Sequence, residues 1–353
     1  MVQEKSVNGY GDGFSWIRGS LLGKGSFGSV YLATIKKSRS KQTYFPSVMA
    51  VKSAEVSVSG SIQKEREIFS NIKGCPDIIE CFGEETTMGD NGVMAYNLLL
   101  EYGSGGTLAT RIKKSNGHGL PEFEAKVYTR SLLRGLNHIH QIGYVHCDMK
   151  PDNILLVPNY GRNAITEFRM KIADFGLAKR AKMSKKRKLE AYWRGTPMYL
   201  SPEAVRDRVQ EAPCDVWALG CIVLEMLTGK PVWDEKLKVE EILRKISAEK
   251  ESPKIPNELS KEAKDFLKRC FMRRPMYRMT CEMLLSHPFL QGLKNDDDEE
   301  VDEELEDDLD LDVDLDELEY IGFACCESDD GEFSCGCELL AEDCFSYDHR
   351  ICI

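Results

Sequence analysis

The stretch HCDMKPDNILL, residues 146–156, decides the fold of this 353-residue chain. It places Asp148, Lys150 and Asn153 between apolar residues, and a second stretch, KIADFG, ends two residues after Asp174. Carboxylate and amide oxygens suit Mg²⁺, and a lysine supplies a compact positive charge. Without chemistry to perform, these residues would form only a polar turn. The pattern instead predicts a site where metal ions and a lysine neutralise phosphate charge.

Transfer of a phosphoryl group requires in-line placement of the acceptor hydroxyl and neutralisation of charge, with little covalent help from the protein. Asp148 is therefore expected to orient the hydroxyl and to accept its proton. Lys150 is expected to contact the γ-phosphate, and Asn153 and Asp174 are expected to hold two Mg²⁺ ions.

A glycine-rich segment, GKGSFGSV at 23–30, lies between two predicted strands, 16–22 and 30–35. Glycines at the tip of a hairpin let backbone N–H groups approach phosphate oxygens. A position between two strands argues against a dinucleotide-binding fold, in which the last glycine opens a helix. Alone, the motif is weak, because an ordinary glycine-rich turn has the same pattern.

A lysine and a glutamate at buried positions predict an ion pair. Lys52 lies within the apolar predicted strand 48–53, and the spacing of Ile62, Glu65 and Phe69 predicts a helix with Glu65 on its apolar face. A buried acid needs a partner, so Glu65 is expected to pair with Lys52 and to aim it at the α- and β-phosphates. The alternative is a lysine at a sheet edge with its amine in water.

Together these residues resemble the signature set of protein kinases, over about residues 14–292. Later segments agree with the resemblance. TPMYLSPE, which ends at Glu203, resembles the segment that binds the peptide substrate. DVWALG at 215–220 resembles the helix that anchors the catalytic loop, which comprises residues 146–153. Arg278 is the expected partner of Glu203.

The resemblance implies ATP and Mg²⁺ as cofactors and assigns a role to each matching residue. The implied catalytic residues are Asp148, Lys150, Lys52 and Glu65, with Asn153 and Asp174 as metal ligands. The implied ATP-binding residues are Leu22, Gly23, Gly25, Ser26, Phe27, Gly28, Val30, Ala50, Lys52, Glu101 and Gly103. The implied substrate platform consists of Thr196, Pro197, Glu203 and Arg278.

The expected fold class is α+β, with two lobes. The first is a small, mainly antiparallel sheet with one helix, and the second is larger and helical. The connector GSGG at 103–106 separates the lobes, and helices are predicted at 122–142, 213–228, 237–248 and 260–272. The predicted domains are an N-terminal extension (1–13), a kinase domain (14–292, with lobes 14–102 and 103–292) and a tail (293–353).

Lys150, two residues after Asp148, and Gly195-Thr196 before the substrate-binding proline favour serine or threonine as the acceptor, and dual specificity stays open. Sequence around these motifs resembles the plant MEKK-like MAP kinase kinase kinases, which implies a MAP kinase kinase substrate in stress or hormone signalling. The rivals are a pseudokinase-type scaffold that binds signalling partners and a small-molecule phosphotransferase. The intact catalytic residues argue against the first, and the peptide platform argues against the second.

Cys147 stands where many kinases carry an arginine before the catalytic aspartate. No guanidinium is available there to pair with a phosphorylated activation segment, which we define as residues 174–203. Activation is therefore expected to be constitutive or achieved differently, unless other basic residues make the substitution neutral. Ser184 and Thr196 are the candidate phosphosites, although the Thr196 hydroxyl could instead have a structural role near Asp148 and Lys150.

Charge divides the chain sharply. Residues 1–295 carry 46 Lys and Arg against 33 Asp and Glu, whereas residues 296–353 carry one Arg against 25 acids. Within the first part, seven of the ten residues at 179–188 are basic. This basic segment could be a solvated loop, a nuclear-localisation signal around Lys185–Lys188, or a contact for the tail.

The tail combines acidic and aliphatic residues, with 17 acids among the 24 residues at 296–319. Such a segment is expected to be disordered alone and able to dock, so we hypothesise that it folds back on the basic segment. The spacing of the six tail cysteines matches no zinc-binding pattern.

No secretory signal or membrane-spanning stretch is recognised in the sequence. The protein is therefore expected in the cytoplasm, with the nucleus as an alternative, and its thiols are expected to be reduced. No nucleic-acid partner is expected.

Overall fold

The computed structural model describes residues 9–25, 27–36, 45–159, 167–181, 193–249 and 251–293. The first lobe is an antiparallel sheet with the strand order β1-β2-β3-β5-β4 and one long helix. Its elements are β1 (Trp16–Gly25), β2 (Gly28–Ile35), β3 (Val48–Glu55), α1 (Gly60–Asn71), β4 (Cys81–Met88) and β5 (Met94–Leu100). The predicted α+β architecture with an antiparallel first lobe is confirmed.

The sheet has apolar residues on both faces, which explains why strand β3 is buried almost throughout. Met49 and Val51 pack with Trp16 in one cluster, and Ala50 packs with Leu22 in another. The first two predicted strands were too short. Gly25 pairs directly with Gly28, so both strands continue to the hairpin tip.

Helix α1 has the buried face that its spacing predicts, formed by Ile62, Glu65, Ile68 and Phe69. Glu65 is fully buried on this face. The helix therefore packs an acid, together with its apolar neighbours, between the sheet and the second lobe.

The second lobe is mainly helical. Its helices are α2 (Leu108–Lys113), α3 (Glu122–Gln141), α4 (Pro202–Asp207), α5 (Ala212–Thr228), α6 (Val239–Ser247), α7 (Lys261–Cys270) and α8 (Cys281–Leu285). Its strands are β6 (Tyr144–Val145), β7 (Ile154–Pro158), β8 (Phe168–Ile172) and β9 (Lys179–Arg180). The four predicted helices are confirmed as α3, α5, α6 and α7. Helices α2, α4 and α8 were missed, because five or six residues are too few for a periodic pattern.

Two small antiparallel pairs frame the predicted catalytic loop. Strand β6 pairs with β9, and β7 pairs with β8. The connector between the lobes is hydrogen-bonded to β7, since Gly105 N donates to Leu156 O (3.0 Å) and Leu156 N donates to Gly106 O (2.9 Å). In the described ranges, no helix has the length and apolarity needed to cross a membrane.

A strap of residues 9–13 lies against the first lobe, a contact that its glycine-rich sequence does not predict. Its carbonyl and carboxylate oxygens accept hydrogen bonds from β1, because the Arg18 Nε donates to Gly11 O (3.0 Å) and the Arg18 N donates to Asp12 Oδ1 (2.8 Å). The Arg18 guanidinium also donates to Ser53 Oγ and Asn97 Oδ1, both at 2.8 Å. Arg18 therefore fastens the strap to the middle of the sheet.

Replacing Arg18 by methionine is expected to lower the free energy of unfolding by about 2–3 kcal/mol. The buried Ser53 Oγ loses its donor, and Asn97 Oδ1 keeps only the hydrogen bond from the Ser53 hydroxyl. Urea unfolding measures the change. The matched control is Arg269→Met, which removes an exposed arginine 3.4 Å from Asp265 and should cost less than about 1 kcal/mol. Equal effects of the two variants would contradict this role for Arg18.

Candidate active site

Strand β3, helix α1 and the KIADFG stretch bring three charged side chains together between the lobes. Lys52 Nζ lies 2.8 Å from Glu65 Oε2 and 2.9 Å from Asp174 Oδ1. Glu65 Oε1 also accepts a hydrogen bond from Phe175 N at 3.0 Å. The expected pairing of Lys52 with Glu65 is therefore present, and Lys52 is shared with Asp174.

The pKa shifts in this triad follow from burial and charge. Burial alone would lower the pKa of Lys52, but Asp174 and Glu65 together raise it, so the ammonium is retained. For Asp174, burial acts to raise the pKa, yet the Lys52 cation holds it at about 2. Burial raises the pKa of Glu65, and Lys52 opposes this. The two hydrogen bonds that Glu65 accepts indicate an ionised carboxylate, which leaves one lysine cation between two acids.

Hydrogen bonds from the activation segment and from the catalytic loop hold the two oxygens of the Asp148 carboxylate. Thr196 donates to Oδ1 through its backbone N (3.0 Å) and its hydroxyl (2.9 Å). Asn153 Nδ2 donates to Oδ2 at 3.1 Å, and Lys150 Nζ lies 3.3 Å from the same atom. Burial would lower the pKa of Lys150, but the charge of Asp148 raises it. The loop thus fixes a carboxylate beside a permanent cation.

Asp215, near the start of helix α5, fixes the backbone of this loop. Its carboxylate accepts hydrogen bonds from His146 N (2.9 Å) and Cys147 N (3.0 Å). The anchoring role expected for this helix is therefore present. His140 on helix α3 also donates to Asp215, at 2.8 Å, and Cys281 Sγ lies 3.6 Å from the other ring nitrogen of His140. The sequence did not predict a role for His140 or Cys281. Nothing in the pattern of α3 distinguishes His140 from its neighbours, and Cys281 belongs to no motif.

The charge of His140 should make loop anchoring depend on pH. Burial alone would lower the pKa of His140, but the hydrogen bond to Asp215 and the contact with Cys281 raise it to about 10. Because the pKa of His140 is higher in the folded state than the value of about 6.5 in the unfolded chain, its positive charge stabilises the fold. This stabilisation is complete below about pH 6.5 and is lost as the pH rises through the folded-state pKa. We therefore expect the stability difference between wild type and His140→Gln to be largest below pH 6.5 and to shrink towards pH 10. A difference that grows with pH would contradict the assignment.

Two residues of the site adopt left-handed backbone conformations, Cys147 with φ of 68° and Asp174 with φ of 60°. Such conformations cost non-glycine residues about 1–3 kcal/mol, so surrounding contacts must hold them. Gly195 has φ of 98°, and a Cβ there would lie 2.3 Å from Cys147 O. Glycine is thus required where the activation segment crosses the catalytic loop.

Three of the predicted nucleotide-binding residues pack together in the first lobe. Leu22, Val30 and Ala50 belong to one apolar cluster, together with Leu100 and Tyr102 at the end of β5. Such a cluster suits the flat apolar face of a purine base.

The glycine-rich hairpin tip joins β1 to β2, with Gly25 opposite Gly28, and Ser26 between them lies outside the described residues. Gly28 has φ of 143°, and a Cβ there would lie 2.4 Å from Ser53 O. The Phe27 ring centroid lies 6.0 Å from Lys52 Nζ. The tip therefore reaches the lysine that is expected to contact phosphate.

Glu101 and Gly103, the predicted ATP-binding residues between the lobes, have only backbone groups to offer a ligand. The Glu101 carboxylate is occupied by Lys171 Nζ, at 2.7 and 2.9 Å, and by Glu80 N at 3.0 Å. At Gly103, a Cβ would lie 2.9 Å from Leu155 Cβ, so the connector can run close to β7 only with glycine here.

The predicted metal ligands fit a hard cation. Asn153 Nδ2 donates to Asp148, which turns the amide nitrogen towards the catalytic loop. Among the described residues, no side-chain donor contacts the amide oxygen of Asn153. Asp174 Oδ1 accepts from Lys52 and Gly176, and Oδ2 has no donor within the described part of the chain. No group of three potential His, Cys, Asp or Glu ligands occurs there either. Two protein oxygens suit Mg²⁺, which completes its shell with water and substrate phosphates.

The platform residues are held by a buried ion pair. Arg278 makes two parallel contacts with the Glu203 carboxylate, at 2.6 and 3.0 Å, as expected from the sequence. Pro197 begins a short 3₁₀ turn after Thr196, whose hydroxyl is engaged by Asp148 and Lys150. The structural role considered for Thr196 is thus the one its contacts favour, and Ser184 lies outside the described residues.

Glu225 of helix α5 is a further residue of the site, and it is not among the site residues predicted from the sequence. It accepts hydrogen bonds from the Tyr199 hydroxyl (3.1 Å) and from Val232 N (3.3 Å), which places it under the platform. Burial raises its pKa to about 7. The sequence contains a signal for it, because Glu225 lies within the apolar stretch 216–227, where an acid needs a partner.

Comparison with known proteins agrees with this geometry. The protein kinase domain family matches residues 16–290. Mitogen-activated protein kinase kinase kinase 20 of Arabidopsis thaliana is 43% identical over 290 residues, which cover 81% of each chain. Mitogen-activated protein kinase kinase kinase 17 of the same plant is 38% identical, over 78% of this chain and 69% of its own length. Mitogen-activated protein kinase kinase kinase 18, also of this plant, is 37% identical, over 78% of this chain and 77% of its own length. The chain belongs to the protein kinase family, and within it is similar to these plant kinases.

Proposed function

We propose that the chain transfers the γ-phosphate of ATP to serine or threonine of a MAP kinase kinase. The observation that carries phosphate transfer is that two charged groups adjoin. Lys52 contacts Asp174, and Asp148 contacts Lys150 and Asn153. Ala173 N, next to Asp174, donates to Asn153 O at 2.9 Å and joins them. The proposed substrate class rests on the names of the relatives, each of which is called a mitogen-activated protein kinase kinase kinase. A role in stress or hormone signalling is the corresponding cellular proposal.

Protein kinases use ATP and Mg²⁺, and the residues present fit both. When bound, the metal and nucleotide supply the transferable group and neutralising charge. Asn153 and Asp174 would hold the metal, and Lys52 would contact the α- and β-phosphates, kept in place by Glu65.

The remaining steps belong to the chain itself. Asp148 would orient the acceptor hydroxyl and take its proton, since Thr196 and Asn153 fix its carboxylate before substrate arrives. Lys150 stays charged next to Asp148 and would contact the transferred phosphate. Preorganised charge of this kind needs little rearrangement during the reaction.

The test is phosphorylation of a panel of purified MAP kinase kinases, with a generic Ser/Thr protein and a free-metabolite acceptor in parallel. Wild type is expected to phosphorylate a MAP kinase kinase on serine or threonine. Transfer only to the generic protein would overturn the substrate class, and phosphotyrosine would overturn the acceptor type. ATP binding without transfer to any acceptor would favour the scaffold.

We also propose that the acidic tail restrains the enzyme by contacting the basic segment at 179–188. Most of both segments lies outside the described residues, so the support is their opposite charge. Electrostatic restraint should weaken with salt, because screening acts over about 8 Å at physiological ionic strength. A chain ending at Lys294 is expected to be more active than the full chain at low salt. Equal rates would contradict the restraint.

The proposed location is the cytoplasm, with the basic cluster Lys185–Lys188 allowing entry to the nucleus. A fluorescent fusion should lose its nuclear fraction when these four residues are replaced by alanine. A nuclear fraction that does not change would contradict the role of the cluster.

A further inference from the structure

The start of the activation segment is fixed next to the catalytic loop. Strand β9 pairs with β6, so that Lys179 lies opposite Val145 and Arg180 lies opposite Tyr144. The Arg180 guanidinium also lies over the Tyr144 ring, 4.8 Å from its centroid. Strand β6 leads directly into the catalytic loop, and therefore the position of β9 affects the loop.

Lys179 is a buried cation at this junction. Its side chain is 9% exposed, and its Nζ lies 3.6 Å from Glu211 Oε1. A buried ammonium needs a nearby anion, and removing one member of such a pair leaves an uncompensated charge. Glu211 meets this need with a carboxylate from the chain itself.

Glu211 adjoins the helix that already organises the site. It immediately precedes helix α5, four residues before Asp215, which holds the backbone of His146 and Cys147. One helix start therefore contacts both the catalytic loop and strand β9. These two contacts set the position of β9 relative to the loop.

Helix α1 also contacts the start of the activation segment. Lys64 Nζ donates to Ala178 O at 2.8 Å, one residue before Lys179. Glu65 Oε1 accepts from Phe175 N at 3.0 Å. Both contacts use groups of the unmodified chain.

In many kinases a phosphorylated residue orders the activation segment by pairing with arginine. The chain has a buried Cys147 where that arginine would precede the catalytic aspartate. We propose that Glu211 is a built-in anion that positions strand β9 through Lys179, so that the active arrangement needs no phosphate on the activation segment. The inference rests on the proposed kinase activity and makes Glu211 and Lys179 positioning residues.

The experiment measures kcat and the KM for ATP of the full chain before and after phosphatase treatment, with mass spectrometry to verify removal of phosphate. The variants are Glu211→Gln, Lys179→Met and the double variant. The matched control is Glu251→Gln, which removes the exposed partner of Lys245. Thermal unfolding of each variant is measured in parallel.

Treated wild type is expected to keep most of its kcat. Each single variant should lose about tenfold or more in kcat, since misplacement of a catalytic loop has effects of this size. The KM for ATP should change less than about twofold, because the Lys52 triad is untouched. The double variant should be no worse than either single one, and Glu251→Gln should match wild type.

Three results would overturn the inference while leaving the kinase assignment intact. One is a fall of about tenfold or more in the kcat of treated wild type, and the second is full activity of Glu211→Gln. The third is a parallel loss of thermal stability and ATP affinity, which would show a merely structural role. Inactivity of untreated wild type would instead overturn the proposed function.

Discussion

Asp148→Asn is expected to lower kcat by about 10²–10⁴-fold, the usual contribution of a positioned general base. Asparagine keeps the shape of the side chain but cannot accept the proton of the substrate hydroxyl. Its amide NH₂ would also face donors, because Asp148 Oδ2 receives Asn153 Nδ2 at 3.1 Å and has Lys150 Nζ at 3.3 Å. Steady-state assay of phosphate transfer to a Ser/Thr protein measures the loss.

Binding of ATP should survive in the same variant, since Lys52, Glu65 and Asp174 are unchanged. Thermal shift with Mg²⁺ and ATP checks this point. Asp207→Asn is the control, because Asp207 lies in an exposed pair with Arg206. If the kcat of Asp148→Asn equals that of wild type, Asp148 is not the general base.

Arg278→Leu is expected to cost about 3–5 kcal/mol of folding free energy, because it leaves the buried Glu203 carboxylate without a counter-charge. The Arg278 side chain has no exposed surface and donates to Glu203, to Met272 O (3.0 Å) and to Pro213 O (2.6 Å). Its guanidinium also lies 5.2 Å from the Trp217 ring centroid. One side chain therefore joins the substrate platform to the helical core.

Chemical unfolding with both partners varied tests this account. Adding Glu203→Gln to Arg278→Leu should restore part of the lost stability, since no buried charge then remains uncompensated. Arg206→Met, at the exposed pair, should cost less than about 1 kcal/mol. If Arg278→Leu is as mild as that control, the ion pair does not hold the platform.

Sequence periodicity predicted the elements whose burial follows a regular pattern. Helix α1 shows this, because the spacing of Ile62 and Phe69 also placed Glu65 on the buried face. Strand ends were less predictable. Gly25 and Gly28 can belong either to a loop or to a strand, and only their pairing across the hairpin decides.

The roles assigned to individual site residues came from chemistry and resemblance, and they stay predictions. What could not be predicted were contacts between residues distant in sequence that carry no motif. His140 and Asp215 are separated by 75 positions, and Arg18 reaches Asn97 across 79. Such pairs depend on tertiary packing, which one sequence does not specify by spacing alone.

The anchoring of the catalytic loop by Asp215 has a consequence for isotope exchange with solvent. The amide hydrogens of His146 and Cys147 both point at one buried carboxylate, which is 1% exposed as a residue. Deuterium can replace them only when helix α5 separates from the loop, an event that approaches global unfolding. Although loops usually exchange early, this one should exchange as slowly as the centre of the helical core.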